Sequence, residues 1–232
     1  MEFTDWVRIC RYRYSGQPLN AYGSTKGAGG RFNYGDGLDN VDAQAFPALY
    51  IGANKAVSYR EAFGMSPNDK TLLTAEEFSA LPNKSHAVVF LNGMIENVLD
   101  LTRKERLQDF IDVVKNYKLS NSVKDLAKSA GVPTRALVRD IDGLMNALYE
   151  VDWRGWPTQL GLPASCQTFG KLAWEAGFDG VLYRSTKGGG QCLAVYPHNL
   201  HNSASKIWLS ETPPPGTTRQ LDSSNWQLAI QH

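Results

Sequence analysis

The sequence predicts an α+β fold, in which a mixed and mostly antiparallel β core carries a large helical insertion. Apolar and cationic residues alternate over 6–14 (WVRICRYRY), as in a half-buried strand with its arginines on one face. Two short apolar runs, 180–184 and 191–196, flank the turn STKGGG and predict a β-hairpin. Apolar residues recur at helical spacing over 103–149, which predicts the helices of the insertion.

The other predicted elements follow from local patterns. The polar, glycine-rich residues 15–40 are too many for an ordinary connection and indicate a functional loop. Residues 46–51 (FPALYI) predict a strand, and 54–63 predict a helix that Gly64 ends. The proline-rich residues 211–232 are expected to lie loosely on the surface. Further expected elements are a short helix at 74–81, a strand at 86–91 and a helix at 165–176.

The length, composition and net charge of the chain exclude several classes of function. The 232 residues, 42% of them hydrophobic, suffice for one full core, and we expect one domain. A formal net charge of +1 provides no global field toward nucleic acid or an anionic membrane. The chain has no apolar run of about 18 residues and no apolar signal core. We therefore expect a soluble protein that acts in the cytoplasm, with secretion by a route without a cleavable signal as the alternative.

We expect no metal site. The cysteines, Cys10, Cys166 and Cys192, are far apart and form no CxxC pair, which argues against a disulfide framework and a cysteine zinc site. His198 and His201 are three residues apart, but no further ligand lies near them in the sequence. A loop after a strand is the preferred interpretation of that segment.

A short motif occurs twice, as STKGAGG at 24–30 and as STKGGG at 185–190. Consecutive glycines let backbone N–H groups converge on an anion, and a lysine stands beside them in each copy. Neither copy has the residue order of a P-loop. Each copy is thus either an anion-binding loop or an ordinary flexible turn.

Four segments occur in an order that resembles the RES domain family, which is named for its arginine, glutamate and serine. They are GGRFNYG (29–35), ALYIG (48–52), SYREAFG (58–64) and GFDGVLYRSTKGGGQCLAVYPHNL (177–200). The resemblance covers roughly 6–64 and 166–200. Members of the family are toxins of bacterial toxin–antitoxin pairs. The sequence departs from the family in the long loop between the first two segments and in the helices before the last one.

The resemblance implies both a fold and an activity. RES proteins are similar in fold to ADP-ribosyltransferases of the diphtheria-toxin type. The implied reaction is NAD⁺ degradation by hydrolysis or phosphorolysis of the nicotinamide–ribose bond, with NAD⁺ as the substrate and no resident cofactor. The implied catalytic residues are Glu61, Arg31, Tyr50 and Ser185. The implied NAD⁺-binding residues are Arg8 (or Arg11 or Arg13 in its place), Arg31, Asn33, Tyr50 and Lys187.

The chemistry of these residues suits that reaction. Cleavage of the bond creates an oxocarbenium-like ribosyl cation, which a carboxylate such as Glu61 stabilises mainly in the transition state. Tyr50 can present its ring to nicotinamide and its hydroxyl to a ribose. The planar guanidinium of Arg31 can bind a phosphate. Ser185 can donate a hydrogen bond to Glu61 or to the nicotinamide amide.

The resemblance also sets expectations for organisation and partners. We expect a catalytic domain at 1–204, with the helical insertion at about 100–160, and a polar tail at 205–232. The expected partners are NAD⁺ and an antitoxin or immunity protein that covers the pocket, with no direct nucleic acid or membrane contact. Tryptophans in the WRGW turn (153–156) are interpreted as core or interface anchors, and whether the turn covers the pocket stays open.

Three alternatives remain. The first is an enzyme that transfers ADP-ribose to a macromolecule instead of a small acceptor. The second is a binding module that holds NAD⁺ without consuming it. Alternatively, residues 123–141 form a helix-turn-helix that reads DNA with Thr134, Arg135 and Arg139. Against that reading, Asp140 occupies a position that is usually buried and apolar, and neighbouring acidic residues dilute the positive charge.

Overall fold

A computed structural model of the chain describes residues 1–38, 44–64, 85–108, 111–112, 121–129, 131 and 140–231. The strands in this part of the chain are β1 (Glu2–Arg11), β2 (Gly29–Gly30), β3 (Asn33–Tyr34), β4 (Leu49–Gly52), β5 (His86–Met94), β6 (Val98–Asp100), β7 (Gly180–Arg184), β8 (Gln191–Val195), β9 (Lys206–Leu209) and β10 (Gln220–Leu221). The α-helices are α1 (Lys55–Phe63), α2 (Asn121–Ser129), α3 (Ile141–Leu148), α4 (Gly155–Leu160) and α5 (Ser165–Glu175).

The main sheet, as far as the structure describes it, contains eight strands in the order β10-β9-β5-β1-β4-β8-β7-β6. All neighbouring strands are antiparallel except β6 and β7, which are parallel. Strands β2 and β3 form a separate two-stranded ribbon whose turn is Arg31 and Phe32. The predicted fold class, a mostly antiparallel mixed sheet with several helices, is confirmed.

The sheet separates two hydrophobic clusters, because successive side chains of a strand point to opposite faces. Strand β8 places Cys192 and Ala194 in one cluster and Leu193 and Val195 in the other. The first cluster includes buried residues of α3 and α5, and we call its side of the sheet the helical face. The second cluster includes residues of β5, β9 and the C-terminal segment, and we call its side the opposite face.

Strand β1 differs from its prediction at both ends. It begins at Glu2, changes register between Phe3 and Trp6, where Asp5 has a φ of 54°, and ends at Arg11 before a 3₁₀ turn. The prediction that its arginines share one face is wrong. Arg8 lies on the opposite face, where its Nη2 donates to the backbone oxygen of Asn20 at 2.8 Å. Arg11 is three residues further along the strand, so its side chain points to the other face.

The C-terminal residues do not lie loosely on the surface, so that expectation is wrong. Strand β10 pairs with β9, and Leu221 and Ala229 are buried in the cluster of the opposite face. The backbone N–H of Ala21 donates to the backbone oxygen of Ala229 at 2.7 Å. The many prolines and polar residues of this segment led to the wrong expectation. Burial of its few apolar side chains holds the segment against the sheet.

Several local predictions are confirmed. Helix α1 ends at Gly64, which has a left-handed φ of 69°, and β7 and β8 form the predicted hairpin. The predicted helix at 74–81 lies outside the described residues, and so do Thr134, Arg135 and Arg139 of the possible helix-turn-helix. Asp140 is exposed and caps α3, since its Oδ1 accepts from the backbone N–H of Gly143 at 2.7 Å.

Candidate active site

A cavity of about 680 Å³ lies between the helical face of the sheet, helix α1 and residues 151–159. This volume falls in the range typical of small-molecule sites. The lining includes Arg31, Tyr50, Glu61 and Lys187. Ser185 contacts Glu61 at the edge of the same cavity. The structure therefore brings together all four residues of the predicted catalytic set and one further predicted binding residue, Lys187.

Local packing fixes the position of Glu61. Asn54 caps helix α1, because its Oδ1 accepts from the backbone N–H of Val57 at 3.0 Å. The Oγ of Ser58 donates to the backbone oxygen of Val7 at 2.7 Å, which fastens α1 to β1. A side chain at position 52 would collide with that Oγ, so Gly52 permits the close approach of helix and sheet. Glu61, in the last turn of α1, consequently faces the cavity.

The glycine-rich turn of the β7–β8 hairpin is joined to α1 by two side chains. The Oγ of Ser185 donates to Oε1 of Glu61 at 2.5 Å and accepts from the backbone N–H of Lys187 at 3.0 Å. The Nη1 of Arg60 donates to the backbone oxygen of Gly188 at 3.3 Å. Positive φ angles at 188–190 let the turn adopt this shape. The turn thus orients the carboxylate of Glu61 from outside the helix.

Arg31 is buried, with 5% of its surface exposed. Its Nη1 donates to the backbone oxygens of Leu148 and Glu150 at 3.0 and 3.1 Å, at the end of α3. Its Nη2 donates to Oγ1 of Thr186 at 3.0 Å. A guanidinium has five N–H donors, so two of them have no partner among the described residues. No carboxylate in the described part of the chain forms a salt bridge with Arg31, and its charge is available to an anionic ligand.

Tyr50 supports the turn that carries Arg31. Its hydroxyl donates to Oδ1 of Asn33 at 2.8 Å and accepts from the backbone N–H of Phe32 at 2.9 Å. Burial raises the pKa of this hydroxyl, so it remains protonated at neutral pH. The ring lines the cavity, while the hydroxyl is used within the protein. Contact of the ring with nicotinamide stays a prediction.

Two predicted binding residues lie away from the cavity. Asn33 is fully buried, and its Nδ2 donates to the backbone oxygens of Ser24 and Phe46, both at 2.9 Å. Arg8 lies on the opposite face of the sheet, where desolvation lowers its pKa to about 10. The alternatives Arg11 and Arg13 line a second cavity of about 480 Å³ beside the end of α1. None of the three arginines is among the residues that line the main cavity.

The two STKG motifs differ in what they contact. In the first, Nζ of Lys26 lies 3.1 Å from Oδ2 of Asp36, and the backbone N–H of Gly27 donates to Oδ1 of Asp36 at 2.7 Å. The hydrogen bond from Lys26 lowers the pKa of Asp36, so this loop holds a carboxylate of its own chain. In the second, Lys187 lines the cavity and pairs with no carboxylate of the described residues. The second copy alone is thus available to an external anion at this site.

The sequence left open whether the WRGW turn covers the pocket, and it did not indicate Gln167. Residues 151–155, which contain most of the WRGW turn, form one wall of the cavity. Buried Gln167 donates through Nε2 to the backbone oxygens of Ala28 and Gly30 at 2.7 and 3.1 Å, which shapes the loop before Arg31. No local pattern marks a glutamine for this role, because its acceptors lie more than 130 positions away in the sequence.

The floor of the cavity includes Tyr183 and Cys192 from β7 and β8. Both are nearly inaccessible to solvent, at 3% exposure. Burial raises the pKa of the Cys192 thiol, and the nearby charge of Glu61 raises it further. The thiol is therefore protonated at neutral pH and adds no negative charge to the cavity.

The motif order and this cavity define a class of protein. Residues 5–214 match the family model of the RES domain, and the chain belongs to the RES domain family. A solved structure with some similarity is the crystal structure of the M. tuberculosis MbcT-MbcA toxin-antitoxin complex, at 18% sequence identity and a TM-score of 0.49. The match covers 99% of this chain and 90% of that one. No curated protein matches the chain.

The helices also bear on membrane association. In the ranges that the structure describes, every helix is too short or too polar to span a lipid bilayer.

Proposed function

We propose that the chain is an NAD⁺-degrading toxin that cleaves the nicotinamide–ribose bond and arrests growth by depleting NAD⁺. Membership of the RES domain family supports a toxin that acts on NAD⁺. The observation that carries the proposal is the placement of the Glu61 carboxylate in a cavity of about 680 Å³, where Ser185 orients it. Among the described residues, only one of its two carboxylate oxygens has a hydrogen-bond partner.

The reaction requires stabilisation of positive charge on the ribose. The bond between C1′ and the nicotinamide nitrogen breaks with its electron pair moving to the ring, so nicotinamide leaves as a neutral molecule. The ribose then resembles an oxocarbenium ion, and a nearby carboxylate binds it more strongly than it binds the ground state. Glu61 is the group that supplies this charge. Ser185 keeps the carboxylate in place without neutralising it.

The remaining lining residues suit binding of a dinucleotide. Arg31 keeps two N–H donors for an anionic group and is held rigidly by three contacts with the protein. Tyr50 and Tyr183 supply aromatic surface next to Glu61 in the same cavity. The cationic lining residues, Arg31, Arg154 and Lys187, outnumber the acidic ones, Glu61 and Asp152, which favours a polyanionic ligand.

The acceptor of the ribosyl group is water or phosphate. Hydrolysis yields ADP-ribose, whereas phosphorolysis yields ADP-ribose carrying a phosphate at C1′. A time course of NAD⁺ with the purified protein, with and without inorganic phosphate, separates these products by mass. Survival of NAD⁺ under both conditions would refute the proposed function. Label from NAD⁺ that stays on a macromolecule would instead indicate ADP-ribosyl transfer.

We also propose that an antitoxin or immunity protein covers this cavity. Val151, in the cavity wall, is 59% exposed and offers an apolar contact at the mouth of the cavity. A covering partner would bury it and close access to Glu61. The expected result is that the co-expressed partner protects cells and blocks NAD⁺ consumption, and that Val151→Asp weakens the complex. Binding that leaves NAD⁺ consumption intact would contradict a covering role.

A further inference from the structure

Trp153 contacts the guanidinium groups of two arginines. The Cζ atom of Arg31 lies 5.6 Å from the centroid of the Trp153 ring, and that of Arg154 lies 5.1 Å from it. The tryptophan is 4% exposed, so both cation–π contacts form next to a buried ring. The ring of Trp153 therefore holds the guanidinium groups of Arg31 and Arg154 near each other.

The two arginines differ in the donors that remain available. Three N–H groups of Arg31 are used by Leu148, Glu150 and Thr186. Arg154 is exposed and lines the cavity, and its guanidinium donates to no side chain or carbonyl within the described part of the chain. Arg154 is thus a cation held beside the site with its donors free.

We infer that Arg154, positioned by Trp153, binds a phosphate group of the ligand's diphosphate and selects dinucleotides over nucleosides. This inference rests on the proposed function, since it concerns the same cavity. A guanidinium presents a planar pair of N–H donors that matches two phosphate oxygens. Lys187 lines the same cavity and adds a second positive charge. The helical insertion thereby contributes a specificity-determining residue that the RES motifs do not contain.

The test uses ligands that lack a nicotinamide–ribose bond, so that binding is measured without turnover. Calorimetric titrations of the full chain with ADP and with adenosine give the ratio of their affinities, and a third titration uses inorganic phosphate. In the wild type, ADP is expected to bind more tightly than adenosine. Arg154→Ala is expected to weaken ADP binding by about tenfold and to leave adenosine binding unchanged, while Arg154→Lys retains part of the difference.

Two further variants serve as controls. Lys206 lies 5.5 Å from the ring centroid of Trp208 and forms a similar cation–π pair that lines neither cavity. Lys206→Ala is expected to leave ADP binding unchanged. Trp153→Leu is expected to reduce the ratio of ADP to adenosine affinity, and Trp153→Phe to restore most of it, because Phe keeps an aromatic ring beneath Arg154.

Three results would overturn the inference. They are equal binding of ADP and adenosine by the wild type, an unchanged ratio in Arg154→Ala, and an effect of Arg154→Ala that is confined to inorganic phosphate. The last would make Arg154 a site for free phosphate. NAD⁺ consumption by the wild type is measured in parallel, so the inference can fail while the proposed function stands. Arg154-dependent binding of ADP without NAD⁺ consumption would refute only the proposed reaction.

Discussion

The Oγ of Ser185 lies 2.5 Å from Oε1 of Glu61, although the two residues are 124 positions apart in the sequence. This contact joins the β7–β8 turn to helix α1 and orients the carboxylate that faces the cavity. A hydrogen bond to a charged group stabilises by about 1.5–3 kcal/mol.

Ser185→Ala is expected to lower kcat for NAD⁺ consumption by about tenfold, because the carboxylate of Glu61 loses its fixed orientation. KM should change less than kcat, because the hydroxyl of Ser185 acts on the carboxylate of Glu61. Steady-state kinetics measure both parameters. Ser185→Thr keeps a hydroxyl and is the matched control. Equal kcat for wild type and Ser185→Ala would show that the contact has no role in the reaction.

The two STKG motifs provide a matched pair of lysines. Lys187→Ala is expected to raise KM for NAD⁺ by about fivefold, as for a solvent-screened charge contact of about 1 kcal/mol. Lys26→Ala should leave KM unchanged, because Lys26 pairs with Asp36. Initial rates over a range of NAD⁺ concentrations at constant ionic strength test this. An increase in KM for both variants would point to overall charge and not to the site.

Tyr50→Phe is expected to destabilise the fold by about 1–3 kcal/mol, because the backbone N–H of Phe32 loses its acceptor in a buried turn. Urea denaturation followed by fluorescence measures the change. Tyr12→Phe removes a hydroxyl from a side chain that is 67% exposed and should have no effect. Unchanged stability of Tyr50→Phe with lost activity would instead assign the hydroxyl a direct role in binding NAD⁺.

Gly170 in α5 packs directly against the backbone of Phe32. A Cβ atom at this position would collide with the carbonyl group of Phe32, so Gly170→Ala should destabilise the protein by about 1–3 kcal/mol. Gly23→Ala is the control, because a Cβ atom there meets no other atom. Thermal unfolding monitored by circular dichroism compares the two. A lowered Tm for Gly23→Ala alone would contradict the packing described here.

The sequence predicted those elements whose ends and turns are set by residues close together in the chain. Asn54 and Gly64 bound helix α1 by capping, and STKGGG forms a hairpin turn because glycines accept positive φ. The motif order predicted that Arg31 and Glu61 share a site. These features depend on residues close in sequence or on a pattern that the family retains.

Other features depend on distant contacts and were therefore not predictable. The direction of Arg8 follows from the register of β1, which a shift at Asp5 alters. Asn33 was predicted to bind NAD⁺, but its side chain donates to backbone oxygens of two other segments of the chain. Whether the turn with Trp153 reaches the pocket stayed open, because it depends on how the insertion packs against the sheet. In each case the position of the side chain depends on a contact with residues that are distant in the sequence.

If the carboxylate of Glu61 stabilises positive charge on the ribose of NAD⁺, removal of its charge must slow cleavage of the nicotinamide–ribose bond. The most direct measurement is the rate of nicotinamide release from NAD⁺ by wild type and by Glu61→Gln, with Tm recorded for both. We expect that the wild type releases nicotinamide and that Glu61→Gln is slower by about 10²–10³, with an unchanged Tm. Release at the wild-type rate by folded Glu61→Gln would contradict it.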